Sequence, residues 1–260
     1  MISFSGKRGV VLGVANQRSI ASGVAKQLHQ LGAELALTYA PDPKGRFEQN
    51  VRQLAETCGN ALVLPMDVRE DAAIEKAFAD MEAKWGALDF VVHSVAYADR
   101  DDLEKPFSGT SREGWRMAQD VSAYSIVPLA HHAAPLMRKA GGGSLVGMTF
   151  IGSVLAVPNY NVMGPAKAAL EAAVRYLARQ LGPDNIRCNT ISAGALRTLS
   201  SSGIRNFGEM LKVAGEHAAL ERNVTVEEVA KATVFLLSDA ASGITGQSIY
   251  VDGGFNIMAN

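Results

Sequence analysis

Short apolar runs alternate with helix-spaced apolar positions along the whole chain, and this alternation restricts the available folds more than any other feature. Gly9–Val14, Glu34–Tyr39, Ala61–Met66, Leu88–His93, Ser144–Thr149, Ile186–Ile191 and Ser248–Val251 read as strands, about seven in all. Between them Ile20, Val24, Leu28 and Leu31 fall at helical spacing, and Gly32 stops that helix. A turn and a helix fit the polar stretch from Pro41 to Cys58. Further helices fit Asp71–Trp85 and Ala166–Leu181, with one or two across Ser111–Arg138. Strands apolar on both faces need cover on both sides, so the chain predicts a parallel sheet between two helical layers. Right-handed crossovers then make a doubly wound α/β sheet, a Rossmann fold, spanning residues 1–260 as one domain. The rhythm breaks once. From Ala193 to Thr225 the connection is too long for a plain loop, and Phe207, Met210, Leu211 and Val213 recur at amphipathic spacing. We expect a substrate-binding lid over 195–222.

Charge and cysteine content remove several classes. Lys and Arg total 25 against 26 Asp and Glu, a net charge of −1, and 48% of residues are hydrophobic. Such a chain has the apolar content to fold, and it lacks the basic excess that marks a nucleic-acid binder. Cys58 and Cys188 cannot staple a secreted scaffold and read as reduced packing thiols. The N-terminal residues show no charged-then-apolar leader. The longest weakly polar stretch, Ser144–Pro158, falls short of the about 20 apolar residues of a membrane span. A cytoplasmic protein without membrane or metal is the expectation.

Ligands of doubly wound sheets sit at the carboxyl ends of the strands. The first such end is Gly13-Val14-Ala15-Asn16-Gln17-Arg18-Ser19-Ile20. Gly13 permits a tight turn, Ser19 is placed to cap the next helix, and the helix N-terminus offers N–H groups to a pyrophosphate. The turn lacks the usual glycine spacing, and an empty strand–turn–helix fits it as well. The second strand ends at Tyr39-Ala40-Pro41-Asp42 with no basic residue, which leans to NADH over NADPH; Lys44 and Arg46 follow shortly. Asp67, ending the third strand, suits either an adenine amino group or a helix cap.

Tyr160 precedes Lys167 by seven positions, nearly two helical turns, so both can share a face. A lysine cation beside a tyrosine favours loss of the phenolic proton and can hold a ribose. A tyrosine O–H beside a carbonyl stabilises oxyanion character as hydride arrives. A half-buried tyrosine and a surface lysine would show the same spacing.

Taken together, these segments resemble the short-chain dehydrogenase/reductase superfamily. Within it the chain is similar to the bacterial enoyl-acyl-carrier-protein reductases of the NADH-dependent, triclosan-sensitive type. The likeness runs through Gly13-Val14-Ala15 with Ser19-Ile20-Ala21, His93-Ser94, Ser111-Arg112-Glu113-Gly114, Pro158-Asn159-Tyr160-Asn161-Val162-Met163-Gly164, Arg197-Thr198-Leu199 and Val251-Asp252-Gly253-Gly254. The wide tyrosine–lysine spacing and glycine-poor phosphate turn are marks of that branch.

The resemblance implies reduction of the trans-2 double bond of an enoyl thioester on acyl carrier protein, in fatty-acid elongation, by a homotetramer. It implies Tyr160 and Lys167 as the catalytic pair, Lys167 also holding the cofactor ribose. It implies NADH, with NADPH less favoured, along Gly13, Ala15, Ser19, Ile20, Ala40, Asp67, Val68, Ser94, Val95, Leu196, Arg197, Thr198, Leu199 and Ser200. Ala98, Phe150, Tyr160 and Met163 would meet the substrate. One position departs in kind: Phe150 stands ten residues before Tyr160, where the family carries a second tyrosine. A reductase of another enone or ketone, or a non-catalytic nucleotide-binding protein, are the competing readings. Arg197, Arg205 and Lys212 are candidates for a basic patch toward an acidic carrier.

Overall fold

The computed structural model describes residues 2–198, 201 and 205–259. Its strands are β1 (Arg8–Leu12), β2 (Glu34–Tyr39), β3 (Leu62–Pro65), β4 (Phe90–His93), β5 (Gly143–Thr149), β6 (Ile186–Ala193) and β7 (Ser248–Val251). They form one sheet in the order β3-β2-β1-β4-β5-β6-β7. Every pairing is parallel. β1 pairs with β2 on one side and β4 on the other, so the strand order reverses there. A crevice opens at such a point, and the doubly wound fold expected from the sequence is the one observed.

The side chains of β1 show why both faces need cover. Val10 and Leu12 join one core and Val11 the other. The helices α1 (Ile20–Gln30), α2 (Arg46–Thr57) and α3 (Asp71–Trp85) follow the first three strands. A short α4 (Arg100–Glu104), α5 (Arg112–Gln119), α6 (Ile126–Lys139) and α7 (Met163–Leu181) come next, then α8 (Phe207–His217) and α9 (Val226–Leu237). Ile74 and Phe78 of α3, Leu129 of α6 and Leu170 of α7 fill the first core. Val24 and Leu28 of α1, Leu54 of α2 and Val229 of α9 fill the second.

Several boundaries move for local reasons. β1 stops at Leu12, before the expected Val14, because Gly13 takes φ +84° and leaves the strand direction. The segment Ser111–Arg138 resolves into two helices. Ser111 caps α5 by accepting from the Gly114 N–H at 2.9 Å, and a π-helical turn at Asp120–Tyr124 separates it from α6. α7 begins at Met163 rather than Ala166. Gly164 and Pro165 fall in its first turn, where the missing proline N–H has no intrahelical acceptor to lose. α4 was not legible, being only five residues long.

A third, smaller cluster lies apart from these two cores. Leu103, Ala118, Val162, Met163 and Ala166 pack around Tyr160 and join α4, α5 and the start of α7. The other end of the fold is held by a polar clamp. Arg187 of β6 donates to the carbonyls of Leu236 at 2.7 Å and Ser238 at 3.0 Å, which satisfies the C-terminus of α9. Arg187→Met is expected to lower the unfolding free energy by about 2 kcal/mol, read from the urea midpoint at unchanged slope.

Candidate active site

Two adjoining cavities run along the carboxyl ends of the strands, of ≈420 Å³ and ≈490 Å³. They share Gly13, Ala15 and the run Ser94–Tyr97, so together they make one groove across the point where the strand order reverses.

Its floor is the turn after β1. A Cβ on Gly13 would stand 2.0 Å from the Ser94 carbonyl oxygen, so the turn can lie against the end of β4 only as glycine. Ser19 caps α1 by accepting from the Ser22 N–H at 3.1 Å. The hydroxyls of Ser19 and Ser22 donate to the Asn16 carbonyl at 2.9 and 2.6 Å. Ser19 is thus a builder of the turn, and the N–H groups that open α1 remain for an anion. Asn50 of α2 braces the turn by donating to the Ala15 carbonyl at 2.8 Å. Sequence reasoning missed Asn50, because nothing local links it to a turn 35 residues earlier.

The first cavity holds Ala40, Asp67 and Val68, as expected. The Asp67 carboxylate is already engaged, accepting from Arg69 Nε at 2.9 Å and from the Arg69 N–H at 3.0 Å. That guanidinium holds the carboxyl below the usual range. Asp42 turns away to accept from the Phe47 N–H at 3.0 Å, and Lys44 and Arg46 line neither cavity. Among the described residues this wall offers no free cation to a 2′-phosphate, since the guanidinium that lines it, Arg69, is spent on Asp67.

The second cavity brings together Ser19, Ile20, Ser94, Val95, Ala98, Phe150, Tyr160, Met163, Lys167, Leu196 and Thr198. Tyr160 is 9% exposed, and burial raises its pKa, so at neutral pH the phenol carries its proton and is a donor. Lys167 is no surface lysine. It is 5% exposed and donates to the Met148 carbonyl at 2.8 Å, and burial pushes its ammonium down to about 8. Phe150 meets the Tyr160 ring edge-on, with centroids 4.9 Å apart. The Gly152 backbone also lies against the tyrosine, and a Cβ there would stand 2.5 Å from its ring.

Two asparagines flank Tyr160 with left-handed backbones, Asn159 at φ 61° and Asn161 at φ 39°. Asn161 Nδ2 donates to the carbonyls of Leu103 at 2.8 Å and Lys105 at 2.7 Å. Asn159 Nδ2 donates to the Arg205 carbonyl at 3.1 Å. Asparagine is among the few side chains that tolerate this backbone, a signal the pattern Asn-Tyr-Asn already carried.

Arg197 is exposed and lines neither cavity, and the next residue, Thr198, donates its N–H to Ser201 Oγ at 2.8 Å. Leu199 and Ser200 lie outside the described residues. Among the described residues no helix is long and apolar enough to cross a membrane.

The chain has similar relatives along almost its whole length. The family model for enoyl-(acyl carrier protein) reductases matches residues 13–256. The chain is 50% identical to the NADH-type enoyl-acyl-carrier-protein reductase FabI of a Nostoc species, covering 99% of each chain. It is 48% identical to the NADPH-type FabI of Staphylococcus aureus, covering 99% of this chain and 100% of that one. Among solved structures, the enoyl-acyl-carrier-protein reductase of Anaplasma phagocytophilum in complex with NAD superposes with a TM-score of 0.93. That structure is 42% identical, with 99% of this chain and 96% of that chain covered. The chain belongs to the enoyl-(acyl carrier protein) reductase family.

Proposed function

We propose that this protein reduces the trans-2 double bond of an enoyl thioester carried on acyl carrier protein, with NADH, in fatty-acid elongation in the cytoplasm. The observation that carries the reading is the buried Tyr160 and Lys167 on the wall of one cavity, continuous with the groove over the β1 turn. That groove fits a dinucleotide: a glycine-only turn, an open helix N-terminus and an uncharged end to β2. The nicotinamide supplies the hydride, which goes to the β-carbon. Tyr160 donates its O–H to the thioester oxygen as enolate charge develops there, and a buried donor is worth most in such a site. Lys167 holds the ribose hydroxyls and so fixes the ring against the substrate. Ser94, Val95, Leu196 and Thr198 line the cofactor.

Residues 195–222 act as the lid, with α8 as its apolar part. Phe207 and Met210 face the second cavity. A third cavity of ≈740 Å³ adjoins it across Phe150 and Met210, lined also by Leu155, Val157 and Val213. Its apolar wall suits an acyl chain, and closure of the lid keeps water from the hydride. Phe150 supports a second reading, a reductase of another enone or a ketone, since the ring keeps its shape without a hydroxyl. The exposed rings of Trp115, Tyr124 and Tyr176 on and between α5 and α7 are suited to a homotetramer interface.

Purified protein is expected to oxidise NADH with a crotonyl thioester, and Tyr160→Phe to lower kcat by about 10²-fold or more. Full activity in that variant removes the hydroxyl from the mechanism, and turnover of a β-ketoacyl thioester alone would favour the second reading. For the carrier, Arg205→Glu with Lys212→Glu is expected to raise KM for the carrier-bound substrate several-fold, with little change for a small thioester.

Lys167 also makes a stability prediction. Its pKa is about 8 in the fold against an ordinary 10.5, so the unfolded chain binds more protons between those values. Stability therefore rises with pH through that window, and below it the buried ammonium costs about 3 kcal/mol. Lys167→Met is expected to raise Tm by a few degrees at pH 7, with the gain fading as pH climbs past 8, while NADH affinity falls.

A further inference from the structure

One buried carboxylate takes no part in the chemistry above. Glu171 lies on α7 one turn after Lys167, on the same face, and is 9% exposed. Thr149, the last residue of β5, donates its hydroxyl to Glu171 Oε1 at 2.7 Å. Its neighbour Met148 supplies the carbonyl that accepts from Lys167 Nζ. Two consecutive residues of one strand thus hold the acid and the base in place. Ser192 stands in register with Thr149 on β6, and its hydroxyl is buried without a partner, so this pocket is polar beyond what its own bonds use.

Lys167 has few other charges to respond to. His93 on β4 is fully buried and pushed down to about 3, in part by Lys167, so it is neutral. Its Nε2 donates to Ser125 Oγ at 2.8 Å, because that hydroxyl already donates to the Val121 carbonyl. Tyr160, before α7, is protonated. On β7, burial raises the Tyr250 phenol, and the charges of Glu171 and Asp252 add to that rise. Among the described residues Glu171 is the carboxylate whose charge opposes the desolvation of Lys167.

We propose that Glu171 is a positioning residue: held by the Thr149 hydroxyl, it keeps the buried Lys167 in the ammonium form that grips the cofactor ribose. A bond donated by a cation is stronger than one donated by a neutral amine, so cofactor affinity follows the charge on Lys167. The proposal rests on the groove being an NADH site, and the test reads cofactor binding rather than turnover.

The experiment measures NADH dissociation constants by fluorescence from pH 6.5 to 9.5 in the full-length protein. In the wild type, affinity is expected to fall several-fold as pH rises through about 8. In Glu171→Gln the midpoint is expected about one pH unit lower. Glu171→Asp, which keeps the charge, is expected to restore the wild-type midpoint. In a Lys167→Met background, Glu171→Gln is expected to change nothing, since the pair then has no second member. An unshifted midpoint in Glu171→Gln, a Gln-like midpoint in Glu171→Asp, or an equal loss of affinity with and without Lys167 overturns the proposal. Failure of the wild type to bind NADH at any pH is a different result, and overturns the cofactor reading together with it.

Discussion

The contact on which the site depends is the approach of the β1 turn to the end of β4. β1 is the strand at which the sheet parts, and its turn lies directly on the Ser94 carbonyl because Gly13 has no side chain. This closeness fixes both banks of the groove at once. Ala15 and the start of α1 form one side, and Ser94 to Tyr97 the other. The polar knot of Asn16, Ser19 and Ser22 then stiffens the turn and takes up only the Ser22 N–H among the groups that open α1. A richer glycine loop is unnecessary where hydroxyls do the bracing.

Burial is the second constraint. The chain places a phenol and an ammonium in a nearly dry wall, and dryness acts on the two in opposite ways. It keeps the proton on Tyr160 and weakens the hold of Lys167 on its own. A site built this way sacrifices stability for a donor and a cation that need no reorganisation when a ligand arrives. The surrounding atoms are chosen accordingly: a backbone carbonyl at the lysine, ring edge and bare glycine backbone around the tyrosine.

The sheet and both helical layers were legible because strand and helix periodicities differ and each strand is short and apolar. Crossover chirality pointed to a doubly wound sheet, and the order of its strands about β1 is what the structure adds. What the sequence could not show was distance along the chain turned into contact. Asn50 reaching back to Ala15, and Arg69 capturing Asp67, depend on how a helix or turn settles. The spacing of Tyr160 and Lys167 left a surface lysine equally open, and only packing against β5 decides for burial. Arg197 shows the same limit, since a residue inside a recognisable motif is exposed and lines neither cavity.

The asparagines beside Tyr160 tie its loop to two different parts of the chain. Asn161 holds one side to α4 and the residue after it. Asn159 holds the other to the Arg205 carbonyl, ahead of α8. A shift of the Arg205 backbone would break one of these amide bonds and leave the other in place, so a disturbance ahead of α8 is felt at the tyrosine loop through a single donated bond.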